Sequence, residues 1–318
     1  MSSKVAVTAA VSGLDVWDAG SRPVHLAIGM FDGVHRGHRR VIEAAVQGAQ
    51  KSEGLACVLT FDPHPSRLFR PEDPTLLILP LAQKLERLQA LGVQTTLVQP
   101  FDATFARIQA EDFASHLQTA IPGLQALYIG ENFRFGARRM GDIEILKRTG
   151  EAIGLNVFAA PRLIEGEAPV SSTRVRGLLR EARIEEVNTL LGYNYFAQGE
   201  VTPGKQLGRT LNFPTLNLPW APELRPRYGV YAVTLSTCDG ASQPGVANYG
   251  VRPTVDNTER PLLETHLFHG TALGPGDPIR VEWHRFIRPE QRFDSLEALK
   301  TQIAQDIAAA ADALAKSV

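Results

Sequence analysis

Two histidines enclose an arginine and a glycine in the segment GMFDGVHRGH, which runs from Gly29 to His38. Imidazoles at His35 and His38 can donate hydrogen bonds to phosphate oxygens as negative charge builds up on them, and neither needs to be a nucleophile. Gly29, Gly33 and Gly37 let the backbone turn sharply and come close to a ligand. A helix starting near Gly37 adds free N–H groups and the positive end of its dipole. Positioning and charge stabilisation are sufficient for phosphoryl or nucleotidyl transfer. The bland alternative is a glycine-rich turn with two surface histidines. A second candidate, VSSTRVRGLL (170–179), sets Ser171, Ser172 and Thr173 before Arg174 and Arg176. The hydroxyls can cap a helix, or bind phosphates that the arginines neutralise.

A third candidate lies far downstream. In GKQLGRTLNFPTLNL (204–218), Gly204 and Gly208 alternate with Lys205 and Arg209, which suits phosphate contact. Thr215 and Asn217 point the same way in an extended strand, offering two oxygen ligands to a hard cation such as Mg²⁺. A basic hairpin with a proline bulge is the competing reading. Glu264 and His266, in LLETHLF, share one strand face opposite Leu263 and Leu267. A carboxylate within reach of a hydroxyl can serve as general base, although such a residue is also at home on a solvated strand face.

Positioning these groups takes two kinds of scaffold. Up to about residue 160, apolar runs at 24–31, 55–61, 95–99, 125–130 and 155–160 alternate with helical stripes. One stripe is Val41, Ile42, Ala45, Val46 and Ala49; the other is Leu81, Leu85, Leu88 and Leu91. Alternation of this kind predicts an α/β domain with a Rossmann-type parallel sheet. Ligands of such sheets sit beyond the carboxyl ends of the strands. The turn at 29–38, the DPHP after the second run and the GENFRFG after the fourth all fall there.

Beyond about residue 190 helical periodicity gives way to strand-like GVYAVTL (229–235) and LLETHLFH (262–269) between Gly/Pro clusters. That predicts a small antiparallel β-barrel. A terminal helix follows, with Asp294 as N-cap, Glu297 three residues on, and Leu296, Leu299, Ile303 and Ile307 as its apolar face. A short helical region ending near Gly192 marks the division, giving domains 1–185 and 186–318.

Composition excludes other classes. Net charge is −1 with no run of five like charges, which speaks against a nucleic-acid partner. No apolar stretch is long enough for a membrane span, and the N-terminus makes a poor signal peptide, so a cytoplasmic location is expected. Cys57 and Cys238 lack metal-ligand spacing and read as buried reduced thiols. Nothing specifies an oligomeric state.

The first two motifs together resemble the nucleotidylyltransferase superfamily, with its H-x-G-H turn and ISST-x-x-R-type element; Arg176 sits at the matching arginine and Val170 replaces the usual Ile. TFDPHP (60–65), PLAQKLERLQALGV (80–93) and GENFRFG (130–136) look like the FAD synthetase module of the bacterial bifunctional riboflavin kinase/FAD synthetase family. The 204–218 stretch resembles the P-T-A-N element of that family's kinase module. GVANYGVRPTV (245–255) and IRPEQRFDSLEALKTQI (287–303) resemble two further kinase segments.

The resemblance implies a small-molecule enzyme. ATP phosphorylates riboflavin to FMN, and FMN then attacks the α-phosphorus of a second ATP to give FAD and pyrophosphate, with Mg²⁺ or a similar cation. It implies catalytic roles for His35, His38, Arg176 and Glu264. Gly29, Phe31, Asp32, Gly37 and Asn132 would hold nucleotide, as would Ser171, Ser172, Thr173 and Arg174. So would Gly204, Lys205, Gly208 and Arg209 in the kinase half. Asp62, His64, Pro65 and Phe135 would lie on the flavin side of one site, Arg288 and Glu290 on that of the other. Thr215 and Asn217 would hold the metal.

The chain departs from the family at Leu216, which replaces a small Ala and is expected to press on the metal or adenine side. It departs again in FHGTALGPGDP (268–278), which lacks the usual Tyr. An adenylyltransferase with an impaired kinase half and a non-catalytic flavin-binding regulator are the alternatives.

Overall fold

The five strand-like segments of the first 160 residues become neighbouring parallel strands, and those at 24–28 and 55–61 are buried at every position. The computed structural model describes residues 10–14, 17, 19–204, 213–252 and 260–316. The chain divides into two compact units, Met1–Ser172 and Thr173–Val318.

In the first unit the strands are β1 (Val11–Ser12), β2 (Val24–Ile28), β3 (Leu55–Phe61), β4 (Thr95–Gln99), β5 (Leu124–Gly130) and β6 (Asn156–Ala160). They form one parallel sheet in the order β1-β4-β3-β2-β5-β6. The predicted strands stand within a few residues of their expected limits; only the two-residue β1 escaped notice, being too short to carry a pattern. The strand order runs outward in both directions from the β2–β5 pair, so the crevice between their carboxyl ends is the switch point where such sheets take ligands. Helices α1 (Arg36–Lys51), α2 (Ser66–Phe69), α3 (Leu81–Ala90), α4 (Phe113–Ala120) and α5 (Ile143–Glu151) link the strands. A small hairpin, β7 (Ile164–Glu165) and β8 (Ala168–Pro169), follows.

Helix α1 buries Val41, Ile42, Ala45 and Ala49, the stripe read from the sequence. Helix α3 does not follow its leucine stripe, since Gln83 and Lys84 are buried beside Leu88 while Leu81 and Leu85 are only half-buried.

The second unit opens with α6 (Ser172–Glu181), whose first residue belongs to the unit before, and α7 (Ile184–Leu191). Gly192 closes α7 in the left-handed region at φ 76°, the cap that lets a helix stop abruptly. Strands β9 (Phe196–Glu200), β10 (Leu216–Pro219), β11 (Gly229–Thr237), β12 (Ser242–Arg252), β13 (Arg260–Leu267) and β14 (Pro278–Arg288) form an antiparallel sheet in the order β10-β13-β12-β11-β14-β9. A Thr202–Asn217 bridge brings its two ends together, leaving a nearly closed barrel. Inside, Trp283 packs against Tyr231, Tyr249 and Tyr195 with ring centroids 4.4, 5.4 and 5.7 Å away.

The terminal helix α8 (Leu296–Ala315) lays Ala310, Ala313 and Ile307 on Val230, Ala232 and Val246. Its cap is Ser295, whose hydroxyl accepts the Ala298 N–H at 3.1 Å, and not the expected Asp294. Leu296, the first residue of the helix, is 59% exposed and does not belong to the predicted apolar face. Cys57 is buried, and desolvation pushes its thiol up to about 12. Cys238 is exposed, contrary to expectation, because it lies past the end of β11 in the turn to β12. Among the described residues no helix is long and apolar enough to cross a membrane.

Candidate active sites

Strand β2 releases the chain at Ile28 into a turn in which Phe31 (φ 47°), Gly33 (φ 78°) and Val34 (φ 39°) are all left-handed. For a β-branched valine this is a steric outlier, sustained only where the surroundings over-determine it. Phe31 and Val34 are buried. The Asp32 carboxylate accepts the Ile78 N–H at 2.9 and 3.2 Å, and its backbone carbonyl accepts the Ser172 hydroxyl at 2.9 Å. Asp32 thus fastens the turn from within.

His35 is the N-cap of α1, its Nδ1 accepting the His38 N–H at 3.2 Å, which leaves the ring proton on Nε2 as a donor. The two imidazoles are stacked, centroids 3.5 Å apart and 14° from parallel, and the Phe31 ring stands edge-on to His38 at 5.3 Å. Gly37 makes the stack possible: a Cβ there would lie 3.2 Å from the His35 ring. Gly29, Phe31, Asp32, His35, Gly37, His38 and Ser172 are therefore held in one bonded or closely packed neighbourhood. Ser171 precedes α6, and Thr173, Arg174 and Arg176 follow on that helix in the second unit.

The other two loops leave the carboxyl ends of β3 and β5. Asp62 is exposed. His64 Nδ1 accepts the Ser66 N–H at 3.0 Å, and the Ser66 hydroxyl accepts the Thr75 N–H at 2.8 Å, so His64 and Pro65 order this loop. Asn132 is exposed. Phe135 packs in the core. Its ring is buried, stacked on Phe133 at 5.6 Å and against Phe113 at 4.8 Å, because the β5 loop folds back to pair Phe135 with Gly141 over the core.

In the second unit a cavity of about 490 Å³ is lined by Thr215, Asn217, Glu264, Arg288 and Glu290 together. The ladder sets Asn217 opposite Glu264 and Glu264 opposite Asn248, so one rung carries three polar side chains on one face. Leu263, Thr265 and Leu267 are buried on the other face. Leu216, opposite Thr265, shares that inner face with Leu218. Leu216 also stands among the residues that line the cavity, between Thr215 and Asn217.

Asn217 is buried, and its Oδ1 has no hydrogen-bond partner among the described residues. Gly204 lies so close that a Cβ would sit 2.3 Å from Asn217 Nδ2. Among the described residues no cluster of three His, Cys, Asp or Glu side chains is arranged for a metal; a hydroxyl and an amide oxygen are a different donor set. Arg288 grips Asp306 of α8 through two bonds, Nε–Oδ1 at 2.8 Å and Nη2–Oδ2 at 2.7 Å. Burial lifts the Glu290 carboxyl above its ordinary value, opposed by a hydrogen bond with Asn248 and reinforced by the charge of Glu264. Lys205, Gly208 and Arg209 lie outside the described residues.

Two family models match, FAD synthetase over residues 18–174 and riboflavin kinase over 191–314. Proteins named bifunctional riboflavin kinase/FMN adenylyltransferase are similar over almost the whole chain. That of Escherichia coli K12 is 38% identical, over 88% of this chain and 90% of the relative. That of Pseudomonas fluorescens is 37% identical over 91% and 94%. This chain belongs to the bifunctional riboflavin kinase/FMN adenylyltransferase family.

A family member from Bacillus subtilis is 33% identical over 88% of this chain and 89% of its own. A solved structure from Streptococcus pneumoniae, described as a macrolide-efflux protein, superposes with a TM-score of 0.83 at 27% identity, over 93% of this chain and 97% of that one. That description concerns the pneumococcal protein; the fold is what the two share. Within the family's two modules, sequence reasoning passed over two groups. Asn248 lies in GVANYG without a spacing of its own, and becomes visible only through strand register. Lys84 sits in a helix read by its leucines, and a cation in a core gives no periodic signal.

Proposed function

We propose that the chain makes FMN from riboflavin in the barrel cavity and FAD from FMN at the β2 turn, consuming one ATP in each reaction. The observation that supports this best is that the β2 turn lies in the stretch matched by the FAD synthetase model and the barrel cavity in the stretch matched by the riboflavin kinase model. The family's two modules then meet between residues 174 and 191, around the expected 185/186 division.

In the cavity, Glu264 accepts the proton of the riboflavin 5′-hydroxyl as its oxygen attacks the γ-phosphorus of ATP and ADP leaves. Thr215 and the unpartnered Oδ1 of Asn217 would hold a hard cation such as Mg²⁺, which would draw charge from the phosphoryl oxygens. Gly204, Lys205, Gly208 and Arg209 cradle the nucleotide. Arg288, fixed by Asp306, and Glu290 bound the flavin side.

At the turn, an FMN phosphate oxygen attacks the α-phosphorus and pyrophosphate departs. His35 donates from Nε2, and His38 and Arg176 add positive charge as the phosphorus becomes five-coordinate. Gly29, Phe31, Asp32 and Gly37 shape the backbone around the phosphates. Ser171, Ser172, Thr173, Arg174 and Asn132 bind the nucleotide. Asp62, His64 and Pro65 meet the flavin, with Phe135 supporting that loop from the core.

The substrates are small molecules, the balanced charge offers no nucleic acid a surface, and the cytoplasm supplies every reactant. The decisive assay is chromatography of products from riboflavin, ATP and Mg²⁺ over time. His38→Ala accumulates FMN without FAD, while Glu264→Gln makes no FMN yet still converts supplied FMN to FAD. Loss of both activities in either well-folded variant would refute the separation of sites.

A further inference from the structure

Lys84 lies in the first turn of α3 with its side chain almost wholly buried. Both circumstances oppose a cation: burial strips the ammonium of water, and the positive end of a helix repels it. Burial holds its pKa below the ordinary lysine range, against the pull of Asp32 and Asp62. Packing alone would be served by an apolar residue beside Leu88. The ammonium instead donates to Thr60 Oγ1 at 3.0 Å and to the Met30 carbonyl at 3.4 Å. The Thr60 hydroxyl donates to the same carbonyl at 3.1 Å. Met30 immediately precedes the left-handed Phe31, and Thr60 lies in β3 two residues before Asp62. One buried charge therefore joins the entrance of the β2 turn to the strand that carries the DPHP loop, between a carboxylate of each.

We propose that Lys84 is a positioning residue for adenylyl transfer, acting through Thr60 and the Met30 carbonyl to lock the turn that carries His35 and His38. The inference rests on reading that turn as the ATP site. Lys84 acts on the backbone of the turn and not on the reacting phosphorus. Without it the carbonyl keeps only the threonine bond, Asp32 loses its nearby cation, and the strained conformation of Phe31 and Val34 relaxes. A displacement of the imidazoles by about 1 Å costs on the order of a hundredfold in rate.

The test uses the full chain with Lys84→Met, Thr60→Val and the double variant, each assayed for FMN adenylylation and riboflavin phosphorylation. Lys84→Met lowers kcat/KM for ATP in adenylylation about tenfold to a hundredfold. Thr60→Val lowers it less, and the double variant is no worse than Lys84→Met, because both groups act on one carbonyl. KM for FMN and the phosphorylation rate stay within about twofold, a selectivity that general loosening of the unit does not produce. Adenylylation kept within about threefold in Lys84→Met, or losses that multiply in the double variant, overturns the proposal. Should Lys84→Met fail to fold, Thr60→Val decides: an ATP-specific loss upholds the lock, and an unchanged kcat/KM overturns it. A wild-type chain that makes no FAD from FMN and ATP refutes the site assignment itself, which is a different failure.

Discussion

His35 holds two positions at once, and two substitutions separate them. Its Nδ1 caps α1 by accepting the His38 N–H, which puts the ring proton on Nε2. His35→Asn keeps a side-chain oxygen at the cap, where Asn is among the best residues, whereas His35→Ala gives the cap up at a cost of about 1 kcal/mol. For a unit of this size that difference lowers the unfolding midpoint by roughly 2–4 °C. Both variants lose the Nε2 donor. If it faces charge that develops in the transition state, its loss costs roughly 2.7–4 kcal/mol, or about 10²–10³ in kcat. The asparagine variant should therefore melt close to wild type and barely form FAD, and the alanine variant should melt lower with a similar rate. Thermal unfolding followed by tryptophan-independent far-UV signal, with FMN adenylylation and riboflavin phosphorylation on the same samples, reads both quantities. An asparagine variant that adenylylates within a few-fold of wild type would reduce His35 to a capping residue, and the donor role would have to be abandoned.

Gly204→Ala drives a Cβ into Asn217, whose Nδ2 it would meet at 2.3 Å. The Mg²⁺ concentration for half-maximal phosphorylation should rise about tenfold or more with adenylylation untouched, and an unchanged requirement would remove Asn217 from the metal site. Asp306→Ala breaks the two-bonded pair with Arg288, and calorimetry should show the second unit destabilised by about 3–5 kcal/mol. His25 is bonded to Tyr128, Ser52 and Gln125, and burial lowers its pKa from 6.5. Its folded form refuses a proton that the unfolded chain accepts, so stability is lost as pH falls from 6.5 toward the folded pKa. His25→Gln should flatten that acid slope in thermal unfolding, and an equally steep slope would place its origin elsewhere.

Periodicity was enough to find β2 to β6 and the inner face of α1, since apolar residues there do nothing but pack. The turn at 29–38 was legible for the opposite reason: its glycines and histidines fit no apolar period. What remained hidden depends on register or on burial of polar groups. The rung of Asn217, Glu264 and Asn248 joins residues far apart in sequence, and only the ladder sets them side by side. Phe135 has the type of a flavin contact and the environment of a core residue. Ser295 and Asp294 are both good caps, and residue type does not choose between them.

The last helix has a role that its distance along the chain disguises. Leu299, Ile303 and Asp306 line the cavity beside Glu264, so the closing segment is a wall of the reaction chamber. Trimming the chain before α8 would open that chamber to solvent and act as a lesion of phosphorylation, with adenylylation left running on supplied FMN. A fusion partner or affinity tag joined at this end pulls on the same wall, whereas termini are ordinarily the safest place for one.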